Sequence, residues 1–151
     1  EPAINSTYTL DNIQTWETLN NDTAKIMMGT GVYTTTVNMT KDEAKAKWAI
    51  NLGDVRESAR VYVNDNFVGC AWSVPFILDC KDAFKAGKNT LRIEVTNLPA
   101  NRISEMDRQG VKWRKFDEIN VVDINYKKTS YANWEAVKSG LNSSITLLKL
   151  K

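Results

Sequence analysis

The chain has 151 residues, the length of one domain that can bury roughly two-thirds of its unfolded surface and fold without metals or disulfides. Apolar residues make up 42% and charged residues 25%, ordinary globular values that favour neither disorder nor a coiled coil. Twenty basic against 18 acidic residues give a formal charge of +2, far from the excess of a phosphate-tracking surface, so nucleic acid is not an expected partner.

No apolar run approaches the roughly 20 residues that span a bilayer, so no membrane span is expected. The chain opens "EPAINSTYTL", with neither an initiator methionine nor a signal-peptide pattern, and reads as a piece of a longer protein. Cys70 and Cys80 allow a single pairing, but both sit in apolar, strand-like context where free thiols are common. The absence of histidine excludes Ser-His-Asp and Cys-His nucleophile systems and His-ligated zinc. Carboxylate, lysine or tyrosine chemistry remains, or none.

In chain order, "STYTL" and "IQTWETL" suggest one or two opening strands. "GVYTTTVNM" alternates, with Tyr33, Thr35, Val37 and Met39 on one face. The charge-rich "TKDEAKAK" (residues 40 to 47) reads as a solvated connector with at most one helical turn. Next come "KWAINL", with Trp48, Ile50 and Leu52 in phase, and "SARVYVN", with Ala59, Val61 and Val63 opposed to Arg60, Tyr62 and Asn64. "NDN" (Asn64, Asp65, Asn66) supplies residues that tolerate the positive φ of a tight hairpin. Gly87 precedes "TLRIEVTN", the cleanest alternation, with Leu91, Ile93 and Val95 inward.

"NRISEMDRQGVKWRKFDEIN" (residues 101 to 120) is too polar and irregular for another strand and reads as a long loop over about 98–118, of the kind that is usually functional or disordered. "VVDINY" and "SSITLLKL" close the chain as strands. Eight or nine short strands with almost no helix make an all-β, two-sheet sandwich, with a jelly roll expected.

The series "GDVRESARVYVNDNFVGCAWSVPFILDC…GKNTLRIEVTN", residues 53 to 97, resembles the sugar-binding jelly-roll domain of glycoside hydrolase family 2, one of the galactose-binding-like sandwiches. With "NLPANRI" and "GVKWR" after the same strand, the chain is more similar still to the accessory β-sandwich of large bacterial rhamnosidase-type glycoside hydrolases. The likeness runs over about residues 29 to 123, with "NDN" where the family usually has an Asn-Gly hairpin. It implies a module attached to a hydrolase, with catalytic acid and nucleophile on a separate barrel domain, glycan and that barrel as partners, and a periplasmic or extracellular location. In the family, the loop after the last good strand can lend a polar side chain to the sugar subsite. Here that loop starts at Asn97 and holds Asn101, Arg102, Asp107, Trp113 and Arg114.

Sugars are bound by flat aromatic faces and planar polar groups. Of the five tryptophans, Trp48 is in phase with the core, while Trp16 and Trp134 lie in unpatterned segments. Trp72, at a strand end, is either a sugar or domain contact or a plug closing the sandwich. Trp113 has the same two readings, since a cation–π stack with Arg114 or Lys112 would simply pin the loop. Arg102 has either a sugar carboxylate or, as the favoured reading, a fork with an internal Asp such as Asp107. Asn97 and Asn101, flanking Pro99, either contact sugar or cap turns.

No cofactor is expected, with a structural calcium as the weaker alternative, because three oxygen-bearing residues in a row at the hairpin are a weak signal for an ion that takes six to eight converging oxygens. The sequons at Asn5, Asn21, Asn38 and Asn142 are uninformative in so Asn- and Thr-rich a chain. Two further readings stand beside the sugar-recognising accessory module: a purely structural interdomain module, and a free-standing glycosidase using two carboxylates, one of them such as Asp107 or Glu105, for which a plain sandwich seldom provides the cleft.

Overall fold

Alternating stripes of β-branched residues build nine strands among the described residues of the computed structural model, which are 6–115, 124, 125 and 127–151. They are β1 (Thr30–Met39), β2 (Trp48–Asn51), β3 (Val55–Arg56), β4 (Ser58–Val63), β5 (Asn66–Ala71), β6 (Ile77–Asp79), β7 (Gly87–Thr96), β8 (Gly140–Leu141) and β9 (Thr146–Lys149). All pairings are antiparallel: a sheet ordered β1-β7-β4-β5, a second ordered β6-β2-β9, and a short β3-β8 pair. The chain is an all-β sandwich with few helices.

The alternation of the sequence becomes the core directly. Ala59, Val61 and Val63 from β4 and Leu91, Ile93 and Val95 from β7 meet Ile50 and Leu52 of the opposite sheet, all of them buried. Each large aliphatic side chain so buried contributes about 1.5–3 kcal/mol. Trp48 packs half-buried against this cluster and donates its indole N–H to the Glu43 carbonyl at 2.9 Å. On β1, Tyr33 and Val37 are partly buried and Met39 is buried, but Thr35, in the same phase, is exposed. β1 is the outermost strand of its sheet, and there the sandwich is open.

The β4–β5 connection is a two-residue hairpin in which Asn64 and Asp65 both have positive φ, 50° and 64°. This is the geometry for which Asn and Asp are chosen when glycine is absent. The Asn64 amide bonds to Asn89 Oδ1 (2.7 Å) and the Ala83 carbonyl, and its oxygen accepts from the Thr90 amide. The two thiols are unpaired: Cys70 is exposed on β5, while Cys80 is buried, and burial pushes its pKa up to about 11.

Two expectations differ from the structure. The opening segments "STYTL" and "IQTWETL" form no strand: residues 6–15 carry neither helix nor strand and bend at Asp11 and Asn12, Trp16–Thr18 is a 3-10 turn, and Asp22–Ile26 is a short helix, α1, capped by Asn21. The cause is Trp16, whose backbone N–H is held by the Ser139 carbonyl (3.1 Å) and whose indole donates to the Tyr33 hydroxyl (2.7 Å). The long loop over 98–118 begins as a nine-residue helix, α2 (Ala100–Arg108). Its buried residues are Asn101 and Ser104, so the deepest positions are polar, while its apolar residues Ala100, Ile103 and Met106 are only partly buried. The strand expected over "VVDINY" lies, apart from Ile124 and Asn125, outside the described residues, as do Asn5 and the last residues of the 98–118 excursion.

Asn89 is fully buried and makes four hydrogen bonds, accepting from the Lys85 amide and Asn64 and donating to the Lys85 and Gly87 carbonyls. Asn89→Ala strands these partners in a dry site, and an unsatisfied buried group costs more than a bond contributes. The substitution is expected to lower stability by about 2 to 4 kcal/mol in urea denaturation, with an unchanged m-value.

Candidate functional site

Strand register brings the two segments singled out by sequence to one end of the sandwich. Ala71, the last residue of β5, lies opposite Ala59, which lies opposite Val95, so Trp72 and Asn97 leave the four-stranded sheet at the same rim. They are two strands apart, about 10 Å at ordinary strand spacing. Between them runs the segment before β4, where the Glu57 amide donates to the Thr96 carbonyl.

Trp72 stands clear of the domain at 75% exposure, and Val74 beside it is 79% exposed. The residues that close the core here are Ala71 and Phe76, both buried, which fix the two ends of the projecting tip. Trp72 is therefore not a plug.

Asn97 is spent inside the fold. Its oxygen accepts from the Gly29 amide (2.9 Å), and its amide donates to the Met27 carbonyl and the Ser139 hydroxyl, both at 3.0 Å. Asn101 is buried one helical turn further on and pairs through both side-chain atoms with the backbone N–H and C=O of Val137, each at 2.8 Å, as a strand partner would. Both asparagines hold the segment before β8 against the rim.

The expected Arg102–Asp107 fork is not formed. Five residues along an α-helix is a rotation of about 140° from the starting face, so the two side chains diverge. The Asp107 carboxylate instead accepts from the Trp113 indole (2.6 Å) and the Tyr131 amide (2.7 Å). These bonds, the Tyr131 amide first, hold its pKa below the usual carboxylate range, with Arg114 and Lys128 adding to the effect. Arg102 is half-buried on α2.

Trp113 and Arg114 do come together, in company that the local sequence does not announce. The Arg114 guanidinium lies 5.0 Å from the Trp113 ring and 4.8 Å from the Tyr131 ring, and donates to the Thr129 carbonyl at 2.6 Å. Tyr131 stacks in turn on Trp134 at 4.3 Å, and Arg108 reaches the Ala132 and Trp134 carbonyls. Tyr131, Trp134 and Arg108 complete a unit whose one sequence signal, the Tyr131–Trp134 spacing, points to nothing without its distant partners. Beside it a cleft of about 260 Å³ is lined by Trp113, Arg114, Lys112 and Lys128 with Thr129 and Ser130.

The arrangement offers aromatic faces and polar donors. Of the two carboxylates weighed for hydrolysis, Asp107 is held ionised by its donors, the reverse of what a general acid requires, and Glu105 accepts from Arg108 and Gln109. At the hairpin, the Asn64 oxygen is already occupied by the Thr90 amide, and no cluster of three or more metal-ligating His, Cys, Asp or Glu side chains occurs among the described residues. No helix among the described residues is long and apolar enough to cross a membrane.

A family model described as the glycosyl hydrolase 2 galactose-binding domain-like family matches residues 13–140. A protein of Formosa agariphila named as a putative β-glucuronidase is 29% identical over 136 residues, 83% of this chain and 12% of that protein. The solved structure of a rhamnosidase from Novosphingobium sp. PP1Y superposes with a TM-score of 0.70 at 26% identity, over 91% of this chain and 12% of that one. A β-D-glucuronidase structure from Dictyoglomus thermophilum shares the fold at a TM-score of 0.54 and 18% identity, over 61% of this chain and 17% of that one. The chain thus spans about one-eighth of the length of the first two.

The depressed pKa of Asp107 gives a pH signature. Its contribution is complete above the ordinary value near 3.8 and is lost as pH falls from there through the lower folded value. Exchange of the Trp113 indole and Tyr131 amide protons is expected to accelerate over that acid range. In Asp107→Asn both exchange faster at neutral pH, and the acid step disappears.

Proposed function

The chain belongs to the glycosyl hydrolase 2 galactose-binding domain-like family, and we propose that it is a non-catalytic accessory module which recognises sugar at its rim and docks on a catalytic domain of the same polypeptide. On this reading residues 1–151 form one module of a much longer hydrolase whose acid and nucleophile reside elsewhere, acting outside the cytoplasm on a glycoside of the kind its relatives are named for, a rhamnoside or a glucuronide.

The observation that carries the proposal is the placement of Trp72. A tryptophan three-quarters exposed on a tip anchored at both ends is a rigid, flat apolar face, the feature that stacks on sugar C–H surfaces at little entropic cost. Trp113, whose indole N–H is held by Asp107, offers a second aromatic ring, and Arg114, with Arg102 on α2, supplies guanidinium groups. Asn97, Asn101 and Asp107 act as positioning residues, holding the excursion through their internal bonds.

Those same internal bonds favour a second reading, a purely structural interdomain module, because the three most sugar-like polar side chains already have partners within the chain. Trp72→Ala in the parent enzyme separates the two. For a sugar contact, KM is expected to rise about tenfold with kcat and melting temperature little changed, in line with roughly 1–3 kcal/mol for an aromatic stack. For a structural contact, the melting temperature of the whole enzyme falls and KM stays.

A further inference from the structure

A recess of about 740 Å³ lies on the open side of the sandwich, beside β1. β1 is the terminal strand of its sheet, so every second residue directs its backbone N–H and C=O away from β7 toward this side. The unpaired stretch of residues 6–15 runs past that edge, leaving a groove between the two, floored by Leu91, Ile93 and Leu141. Thr35, in phase with core residues yet exposed, is a direct mark of this opening.

The chemistry of the walls is distinctive. Among the described residues no lysine or arginine lines the groove and Asp11 is its one charged residue, in a chain with 20 basic and 18 acidic residues. Instead it presents hydroxyls from Thr30, Thr34 and Thr35, exposed planar amides from Asn12 and Gln14, and aromatic rings. The Tyr8 ring is held on one side by a 2.6 Å bond from Asn21 to its hydroxyl, and the Tyr33 ring belongs to the strand side, its hydroxyl accepting from Trp16 and from the Leu141 amide. The volume falls within the range of small-molecule sites. Apolar ring faces, neutral hydroxyl and amide groups, and free strand-edge amides suit a ligand that is polyhydroxylated and uncharged. A carboxylate or sulfate would find no cation there among the described residues. The cleft beside Trp113, with Lys112, Arg114 and Lys128, has the opposite character.

We propose that the groove between residues 8–14 and the open edge of β1 is a second binding site, apart from Trp72, for a neutral oligosaccharide. It lies at the opposite edge of the four-stranded sheet from Trp72, three strand spacings or about 14 Å across, so the two sites can be occupied together.

The test is a titration of the isotopically labelled 151-residue chain with cellotriose, mannotriose and the acidic trimer of galacturonic acid, followed by amide chemical shifts. At millimolar concentration, at least one neutral trisaccharide is expected to move the signals of residues 8–14, 30–35 and 141–145, and the acidic trimer to leave them in place. Thr35→Trp fills the groove from an exposed position and is expected to abolish the shifts. Should that variant fold poorly, Asn12→Ala, in an exposed loop, is expected to weaken binding about tenfold. Groove signals that stay still with both neutral sugars, that move equally with the acidic trimer, or that move unchanged in the folded variants overturn the proposal. Shifts confined to residues 71–76 and 97–114 also overturn it while leaving the rim reading intact.

Discussion

The geometry of the rim depends on one side chain. Asn97 joins three stretches far apart in sequence: the entry to β1 through Gly29 and Met27, its own position at the end of β7, and Ser139 just before β8. Its oxygen and both of its amide protons are used, so the side chain has one orientation that satisfies every partner. Ser139 is fixed from the other side as well, its amide donating to Glu17 and its carbonyl accepting from Trp16. Without this junction the excursion after β7 would have no defined exit direction, and neither α2 nor the Trp113 unit would have a frame to build on.

From Asn97 to Trp134 the described residues are held by polar contacts more than by apolar burial. α2 turns Asn101 and Ser104 inward, Asp107 ties Trp113 to Tyr131, and Arg108 and Arg114 fasten onto backbone carbonyls. The sandwich, by contrast, is held by interlocking valines, isoleucines and leucines from two sheets. The molecule therefore joins a hydrophobic body to a hydrogen-bonded appendage, and such parts open with different free energies.

That division explains what was legible in the sequence. Strands β1, β2, β4, β7 and β9 and the inward residues Val61, Ile93 and Val95 follow from period-two alternation, because a strand with one wet face writes its burial into the order of its residues. The hairpin at Asn64 and Asp65 was readable from turn chemistry alone. α2 was not, since its buried positions are amide and hydroxyl and its three apolar residues, Ala100, Ile103 and Met106, stand among charged neighbours. Trp16 gave no local sign of being a core residue, because its place is fixed by Tyr33, Ser139 and Gly140, and the glycine is needed at φ +90° where a Cβ would run into the indole. The stack of Trp113, Arg114, Tyr131 and Trp134 spans some twenty residues of chain, and the candidates on its near side were visible only singly.

The contrast between the two thiols has a practical side. Cys80 is buried with its pKa pushed up to about 11, so it stays protonated and shielded near neutrality, whereas Cys70 lies open on β5. A maleimide dye would therefore attach at one position without any engineering of the chain. That position is two residues from Trp72, close enough for the indole to quench the fluorophore, so whatever covers the tryptophan would be read as a change in brightness.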